Sequence, residues 1–417
     1  MKRLLVLQLA RLGDIVQTRR LLSTLARDVR PDGGEVHLVV DEALTGFARR
    51  LYPETVVYGL PVHREPGPGG TARAKAVFAD LAGLDFAAVY CLNYSPLAMA
   101  LAAMFPPEIQ RGYRQHAGQD DKDLLLRLVF RLARDRRAAG INLADIWAHL
   151  ADDPVPAATV NPPAVPGDGG VGVALAGREV RRSLPPELLA PVVRTLFRAT
   201  GGRRILLLGT AGQAPAARAL LRRLDPTVAG ACVDLTGKTD LPGLIDAIAG
   251  LSALVTPDTG AMHLAAALGV PVTAFFLSSA WCHETGPYGI GHHVWQAVTA
   301  CAPCLESAPC PYGVVCRQPF ADPGLCRLVA GSTKVAPPPE LVGFVTDCDA
   351  LGAVCRPVAG EDPTYSRRTT LRGVVARRLG LDMPGGGTDE AGQAVEALTV
   401  ESDWMLPPPG RPVAGEW

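Results

Sequence analysis

The chain has 417 residues, a length that suits two or three domains, and its 48% hydrophobic and 20% charged residues let each half bury an ordinary core. Lys plus Arg and Asp plus Glu balance at 41 each, so net charge gives no reason to expect a nucleic-acid partner. No apolar run reaches the roughly 18–20 residues a membrane span needs, and the apolar opening is interrupted by Arg11 and Asp14, so it reads as a buried first strand rather than a signal peptide. A cytoplasmic protein is expected.

Both halves alternate short apolar runs with helical stretches, the pattern of parallel sheets covered by helices. Arg3–Leu9 fits a strand buried on both faces. Gly13-Asp14 opens an amphipathic helix reaching about Val29, with Ile15, Leu21, Leu22 and Leu25 on one side. Glu35–Val40 and Phe86–Leu92 read as strands, Pro96–Phe105 as an apolar helix, and Asp121–Arg137 as a basic amphipathic helix. Residues 153–170 hold five prolines and three glycines, which suits a linker between domains.

The pattern then restarts. Val171–Ala176, Ile205–Leu208, Ala253–Thr256 and Val270–Phe276 read as strands; Pro185–Thr200, Ala214–Leu224, Leu241–Leu251 and Ala261–Leu268 read as helices. Domains are expected over 1–160 and 170–330. After about residue 330 the pattern weakens, and residues 331–417 read as a partly irregular extension with one helix near Thr369–Leu379.

The segment Thr256-Pro-Asp-Thr-Gly-Ala-Met-His263 brings a strand to its C-terminal edge and starts a helix there. First-turn amides are unpaired and the helix dipole is positive, so Thr259 and Gly260 form a ready anion site with His263 one turn in. Ligands of open α/β sheets bind outside such strand ends. An Asp or Thr that only caps an ordinary helix is the alternative.

Asp258-Thr-Gly-x-x-His263, followed by Ala-Ala-Ala-Leu-Gly-Val-Pro271, resembles the donor motif of glycosyltransferase family 9, the heptosyltransferases of lipopolysaccharide synthesis. Supporting segments fall in order: Arg11-Leu-Gly-Asp-Ile-Val-Gln-Thr18, Arg111-Gly-Tyr113, Arg182-Ser-Leu-Pro185 and Leu235-Thr-Gly-Lys-Thr239. The resemblance spans roughly residues 1–330. It implies an α/β protein of the GT-B fold, with two Rossmann-like parallel-sheet domains facing a central cleft: an N-terminal domain for the acceptor and a C-terminal one for the nucleotide-sugar donor. The implied activity is inverting transfer of a heptose-like sugar, typically from ADP-heptose, to a glycolipid or cell-surface glycan, with no cofactor required.

Roles follow from the same resemblance. Asp14 is the candidate base for the acceptor hydroxyl; its alternative is capping its own helix. The leaving diphosphate is met by the Thr259 and Gly260 amides, His263 and Arg182, which stands where the family usually has Lys. Arg181 competes with Arg182 for that place, and Asp258 is expected on the sugar hydroxyls. The family often carries a Glu after the strand Ile205–Leu208; here the nearest polar candidate is Gln213, which leaves the nucleotide base open. Arg111, Arg114, His116, Arg127, Arg131, Arg134, Arg136 and Arg137 form a basic stretch. It reads as a solvated face, or as a contact for an anionic acceptor or the inner membrane surface.

Five of the ten cysteines fall within residues 301–326. The spacing Cys301-x2-Cys304-x5-Cys310-x5-Cys316 suits a structural zinc or an iron–sulfur cluster, with free thiols or a disulfide as the alternative. Competing readings of the chain are another GT-B sugar-nucleotide enzyme such as an epimerase, a non-catalytic GT-B scaffold with a metal site, and an iron–sulfur redox protein.

Overall fold

The computed structural model describes residues 1–62, 67, 69–116, 118–175, 177 and 180–383. The chain divides into two compact units: residues 1–128 with 143–155, and residues 129–142 with the chain from Pro156 onward.

The first unit is built on a six-stranded sheet of order β3-β2-β1-β4-β5-β6. Its strands are β1 (Arg3–Leu7), β2 (Glu35–Asp41), β3 (Val56–Leu60), β4 (Ala88–Cys91), β5 (Gln110–His116) and β6 (Gln119–Lys122). β1 to β5 pair in parallel, and β6 turns back antiparallel to β5. Leu5, Val6 and Leu7 are fully buried, as the unbroken apolar run requires of a strand covered on both faces. The expected first helix is two, Leu12–Gln17 and Arg19–Val29. Thr18 stands at the break: its hydroxyl donates to the Asp14 carbonyl at 2.8 Å and takes the Gln8 amide at 3.2 Å. Arg20 and Asp145, both buried, pair at 2.6 Å and tie the second of these helices to the helix Leu143–Ala148.

The second unit carries an eight-stranded sheet of order β14-β13-β12-β11-β10-β7-β8-β9. Its strands are β7 (Val171–Ala174), β8 (Ile205–Leu208), β9 (Cys232–Asp234), β10 (Ala253–Pro257), β11 (Val272–Phe276), β12 (His293–Ala297), β13 (Leu341–Cys348) and β14 (Ala353–Ala359). The first six pair in parallel; β13 and β14 are antiparallel. Val171, Val173, Ile205, Leu207, Val255 and Phe275 pack under the helix Pro186–Ala199 through Leu189, Val192 and Val193.

Two expectations change. The basic helix over Asp121–Arg137 is a strand, β6, then a helix over Leu124–Leu132 and a short turn Ala133–Asp135. Charge pairing pulls the first part into the sheet: Arg114 bonds Asp121 across the β5–β6 pair, and Asp123 accepts the Gly112 amide at 2.6 Å. Within residues 331–383 the partly irregular extension holds the expected helix, as Tyr365–Arg378, and two strands that were not expected. β13 and β14 extend the parallel sheet, and the helix Tyr365–Arg378 packs on the 129–142 segment, where Arg372 donates to the Gly140 carbonyl. The extension beyond residue 383 lies outside the described residues.

Candidate donor site on the second unit

The site assembles where β7, β8 and β10 end, because parallel strands deliver their loops to one edge. β10 hands the chain to Asp258 and Thr259, and the helix Gly260–Ala267 begins. Thr259 is the N-cap, with φ −149° and ψ 165°, and its hydroxyl accepts the Met262 amide at 3.4 Å. Capping and anion binding coexist here. The cap takes the donor at the third helical position, while the amides of Thr259, Gly260 and Ala261 find no acceptor among the described residues. The loop after β7 lies directly against this turn: a Cβ on Gly177 would stand 3.2 Å from the Asp258 carbonyl oxygen.

Asp258 is the hub. Its buried carboxylate pairs with Arg182, accepts the Thr285 hydroxyl at 2.9 Å, and lies 3.7 Å from His263 Nε2. Burial holds the His263 imidazole below its ordinary value; Asp258 opposes that shift and Arg182 adds to it. At neutral pH His263 is therefore uncharged in the free protein, and the positive charge of the site rests on Arg182. Three buried polar atoms around this hub have no hydrogen-bond partner: Arg182 Nε, His263 Nδ1 and Glu306 Oε1. Buried polar atoms are nearly always satisfied, so three orphans beside free helix amides mark a place built for a ligand.

The two adjacent arginines divide the work. Arg182 turns to Asp258, with Glu306 3.6 Å away on its other side. Arg181 instead grips the carbonyls of Leu305, Glu306 and Ala308, in the cysteine-bearing loop. Thr285 and Glu306 were not expected from sequence. Glu306 had one available signal, its position between Cys304 and Cys310. Gln213, at the end of β8, turns back on its own loop: its side-chain oxygen accepts the Thr210 amide at 2.9 Å. Gly237, after β9, backs onto the same loop, where a Cβ would meet Ala211 at 2.8 Å and the φ is +68°.

On the first unit, Asp14 lies in the first turn of Leu12–Gln17, and its carboxylate accepts the Arg11 amide at 3.0 Å. Among the described residues Arg111 bonds the carbonyl oxygens of Glu108 and Gln110, whereas Arg114 is paired with Asp121 and Asp123. The rest of the basic stretch is dispersed. Arg127 pairs with Asp121; Arg136 holds Glu284 and the carbonyls of Ser279 and Cys304; Arg137 holds the carbonyls of Thr299, Ala300 and Ala302. His116, Arg131 and Arg134 are exposed.

Cys301, Cys304, Cys310 and Cys316 are brought near one another. Burial pushes the Cys316 thiol up, and the other three add to that rise. The amides of Tyr312 and Val314, with Arg181 and Arg317 behind them, pull the Cys310 thiol down. Four sulfur ligands are a donor type that zinc and iron accept. Among the described residues, the His, Cys and carboxylate group whose ligand atoms all lie within 4.8 Å of one another is a different one: Cys282, His283 and Cys355. There the Arg368 guanidinium stands 2.9 Å from His283 Nε2, and its charge opposes a metal cation.

Residues 192–313 match the model of glycosyltransferase family 9 (heptosyltransferase). The lipooligosaccharide heptosyltransferase 2 of Haemophilus influenzae is 38% identical over 77 residues, which cover 18% of this chain and 22% of that protein. The match therefore spans less than a quarter of that relative's length. The solved E. coli ADP-heptose lps heptosyltransferase II superposes with a TM-score of 0.53 at 19% identity, over 69% of this chain and 88% of that one. The E. coli heptosyltransferase WaaC with ADP gives 0.52 at 18% identity, over 69% and 91%. No helix among the described residues is long and apolar enough to cross a membrane. With both sheets, the Asp258–His263 turn and these likenesses in place, the chain has the GT-B fold, and its residues 192–313 are similar to a glycosyltransferase family 9 (heptosyltransferase) domain.

Proposed function

We propose that the protein is an inverting glycosyltransferase that moves a heptose-like sugar from a nucleotide sugar, of the ADP-heptose type, to a lipopolysaccharide-type or other cell-surface glycan. The observation that carries this reading is the Asp258–His263 turn: helix-start amides without an acceptor among the described residues, the Arg182 guanidinium on Asp258 and an unfilled His263 Nδ1 all belong to one turn and its pairing partner. That set suits a diphosphate leaving group.

In the proposed step an acceptor hydroxyl attacks the anomeric carbon from the face opposite the diphosphate. The new C–O bond forms as the C–O bond to phosphate breaks, and the configuration inverts. Asp14 takes the hydroxyl proton. The departing charge falls on the amides at the helix start and on Arg182, with neutral His263 offering a ring N–H. Gln213 and the Gly237 turn are the proposed neighbours of the nucleotide base. Arg111, which among the described residues bonds carbonyl oxygens and no carboxylate, is the proposed contact for an anionic acceptor, with Arg114 held near it in sequence by Asp121 and Asp123. Transfer needs no cofactor in this scheme. A zinc or iron held by Cys301, Cys304, Cys310 and Cys316 would brace the loop by neutralising its thiolates. The setting is the cytoplasm, with peripheral contact at the inner membrane where a lipid-linked acceptor is presented.

The test is donor turnover. Purified protein with ADP-heptose should release ADP slowly, and faster with a heptose-deficient lipopolysaccharide acceptor; a thermal-shift panel of ADP, GDP and UDP ranks the base. If none of the three nucleotides shifts the melting temperature and no ADP is released, the reading is wrong.

A further inference from the structure

The loop between Cys304 and Cys310 does more in this geometry than carry thiols. Its Glu306 carboxylate, about a quarter exposed, stands 3.6 Å from Arg182 Nη1, while Arg182 Nη2 is committed to Asp258. One guanidinium is thus straddled by two carboxylates. The oxygen nearest Arg182, Glu306 Oε1, is buried and at 3.6 Å has an ion-pair partner but no hydrogen-bond donor, so it keeps an accepting position open. The loop is not held there casually. Arg181 fixes three of its carbonyls, Arg136 fixes that of Cys304 at 3.0 Å, and the Cys304 amide bonds Ser278 O at 3.0 Å.

We infer that Glu306 is a specificity-determining residue of the donor site, accepting a hydrogen bond from a hydroxyl of the transferred sugar. This rests on the nucleotide-sugar reading above. The argument is electrostatic. A bare diphosphate entering at Arg182 meets one cation already shared by two anions, and both carboxylates repel it. A ligand that brings hydroxyl donors with its phosphates turns those carboxylates into acceptors and leaves Arg182 to the phosphate. Asp258 spends one oxygen, Oδ2, on both Arg182 and Thr285, and its Oδ1 lies 3.7 Å from His263 Nε2, whereas Glu306 Oε1 is a buried acceptor with no hydrogen-bond donor. The site therefore favours the complete nucleotide sugar over the free nucleoside diphosphate, which also aids product release.

Calorimetric titration of ADP and of ADP-heptose into wild type, E306Q and E306D tests this. A charge-assisted hydrogen bond lost in E306Q should weaken ADP-heptose about 10-fold, while ADP binds unchanged or more tightly because Arg182 has lost a competitor. E306D, which keeps the charge on a shorter arm, should recover part of the ADP-heptose affinity. A merely structural role moves both ligands together. Equal weakening of ADP and ADP-heptose in E306Q, or no change in either, overturns the inference while leaving the transferase reading intact. If wild type binds neither ligand, nor GDP or UDP, both fall.

Discussion

His292, just before β12, has both ring nitrogens buried without a hydrogen-bond partner. Burial, with a smaller push from His293, lowers its pKa from 6.5 to about 4. Between those two pH values the unfolded chain binds a proton that the folded chain refuses. The stability that neutral His292 permits is therefore complete above pH 6.5 and is lost as pH falls toward 4. A gap of about 2.5 units at 1.36 kcal/mol each makes this acid loss about 3 kcal/mol. His292→Leu removes it. The backbone there is held independently, since the His292 amide bonds the Thr346 hydroxyl at 3.0 Å and its carbonyl takes the Thr346 amide at 2.9 Å. At pH 7.5 the variant should also gain about 1–3 kcal/mol, because two orphaned polar atoms leave the interior. Urea unfolding followed by tryptophan fluorescence at pH 7.5, 6, 5 and 4.5 reads both effects through Trp281 and Trp295. The gap between variant and wild-type stability should hold at that gain above pH 6.5 and widen by about 3 kcal/mol as pH falls toward 4. Curves that run parallel from pH 7.5 to 4.5 refute the reasoning, as does an NMR titration that finds the His292 ring protonating near 6.5.

Other substitutions probe the chemistry and the scaffold. Asp14→Asn should lower the rate of sugar transfer about 100- to 10,000-fold with ADP affinity held within two-fold, and transfer at the wild-type rate would remove Asp14 from the mechanism. Arg182→Ala should cost about 100- to 1,000-fold in kcat/KM for the donor, with Arg182→Lys recovering part of it, since Lys supplies the charge without the fork. Replacing Cys301, Cys304, Cys310 and Cys316 by Ser together should abolish any zinc or iron found by elemental analysis of the wild-type protein; metal that persists must be bound elsewhere. Asp145→Ala should destabilise the first unit by about 3–5 kcal/mol, because Arg20 would be left buried without its carboxylate, whereas Arg20→Met with Asp145→Leu should cost much less. Similar losses in the single and double variants, measured by urea unfolding, would show that the pair's charge is irrelevant to that loss.

What the sequence disclosed depended on how local each signal was. β1 and β10 could be read because parallel strands covered on both faces leave unbroken apolar runs, Leu4–Leu7 and Ala253–Thr256, that no surface segment shares. The Asp258–His263 turn could be read because cap, free amides and imidazole all fall within six consecutive residues. β13 and β14 escaped because antiparallel strands at the end of a sheet carry mixed faces; Thr346-Asp-Cys348 and Arg356-Pro-Val358 break the pattern that identifies their inner neighbours. Residues 129–137 were read as part of a basic helix, yet Arg136 and Arg137 are spent on carbonyls and on Glu284 in the second unit. A cation written in sequence does not show whether water, a ligand or the protein's own backbone will receive it.

The donor site shows the same limit most sharply, and shows what resolves it. Arg181 and Arg182 are indistinguishable by composition and adjacent in sequence, so either suited the phosphate. Folding separates them by the partners each can reach: three carbonyls of the cysteine loop for Arg181, two carboxylates for Arg182. A guanidinium fixed on carbonyls has exchanged its hydration for permanent bonds and is structural. One held between carboxylates, with Glu306 only an ion-pair distance of 3.6 Å from its Nη1, holds contacts that an anion can exchange; the buried, unfilled Nε does not separate the two, since both arginines have one. The pair works as a unit for that reason. Arg181 sets the loop that presents Glu306, and Glu306 with Asp258 sets the place of Arg182, the proposed phosphate contact. Loss of Arg181 should therefore raise the KM for the nucleotide sugar through Glu306, more than it raises the inhibition constant of free ADP, and an equal rise in both would separate the loop from donor selection.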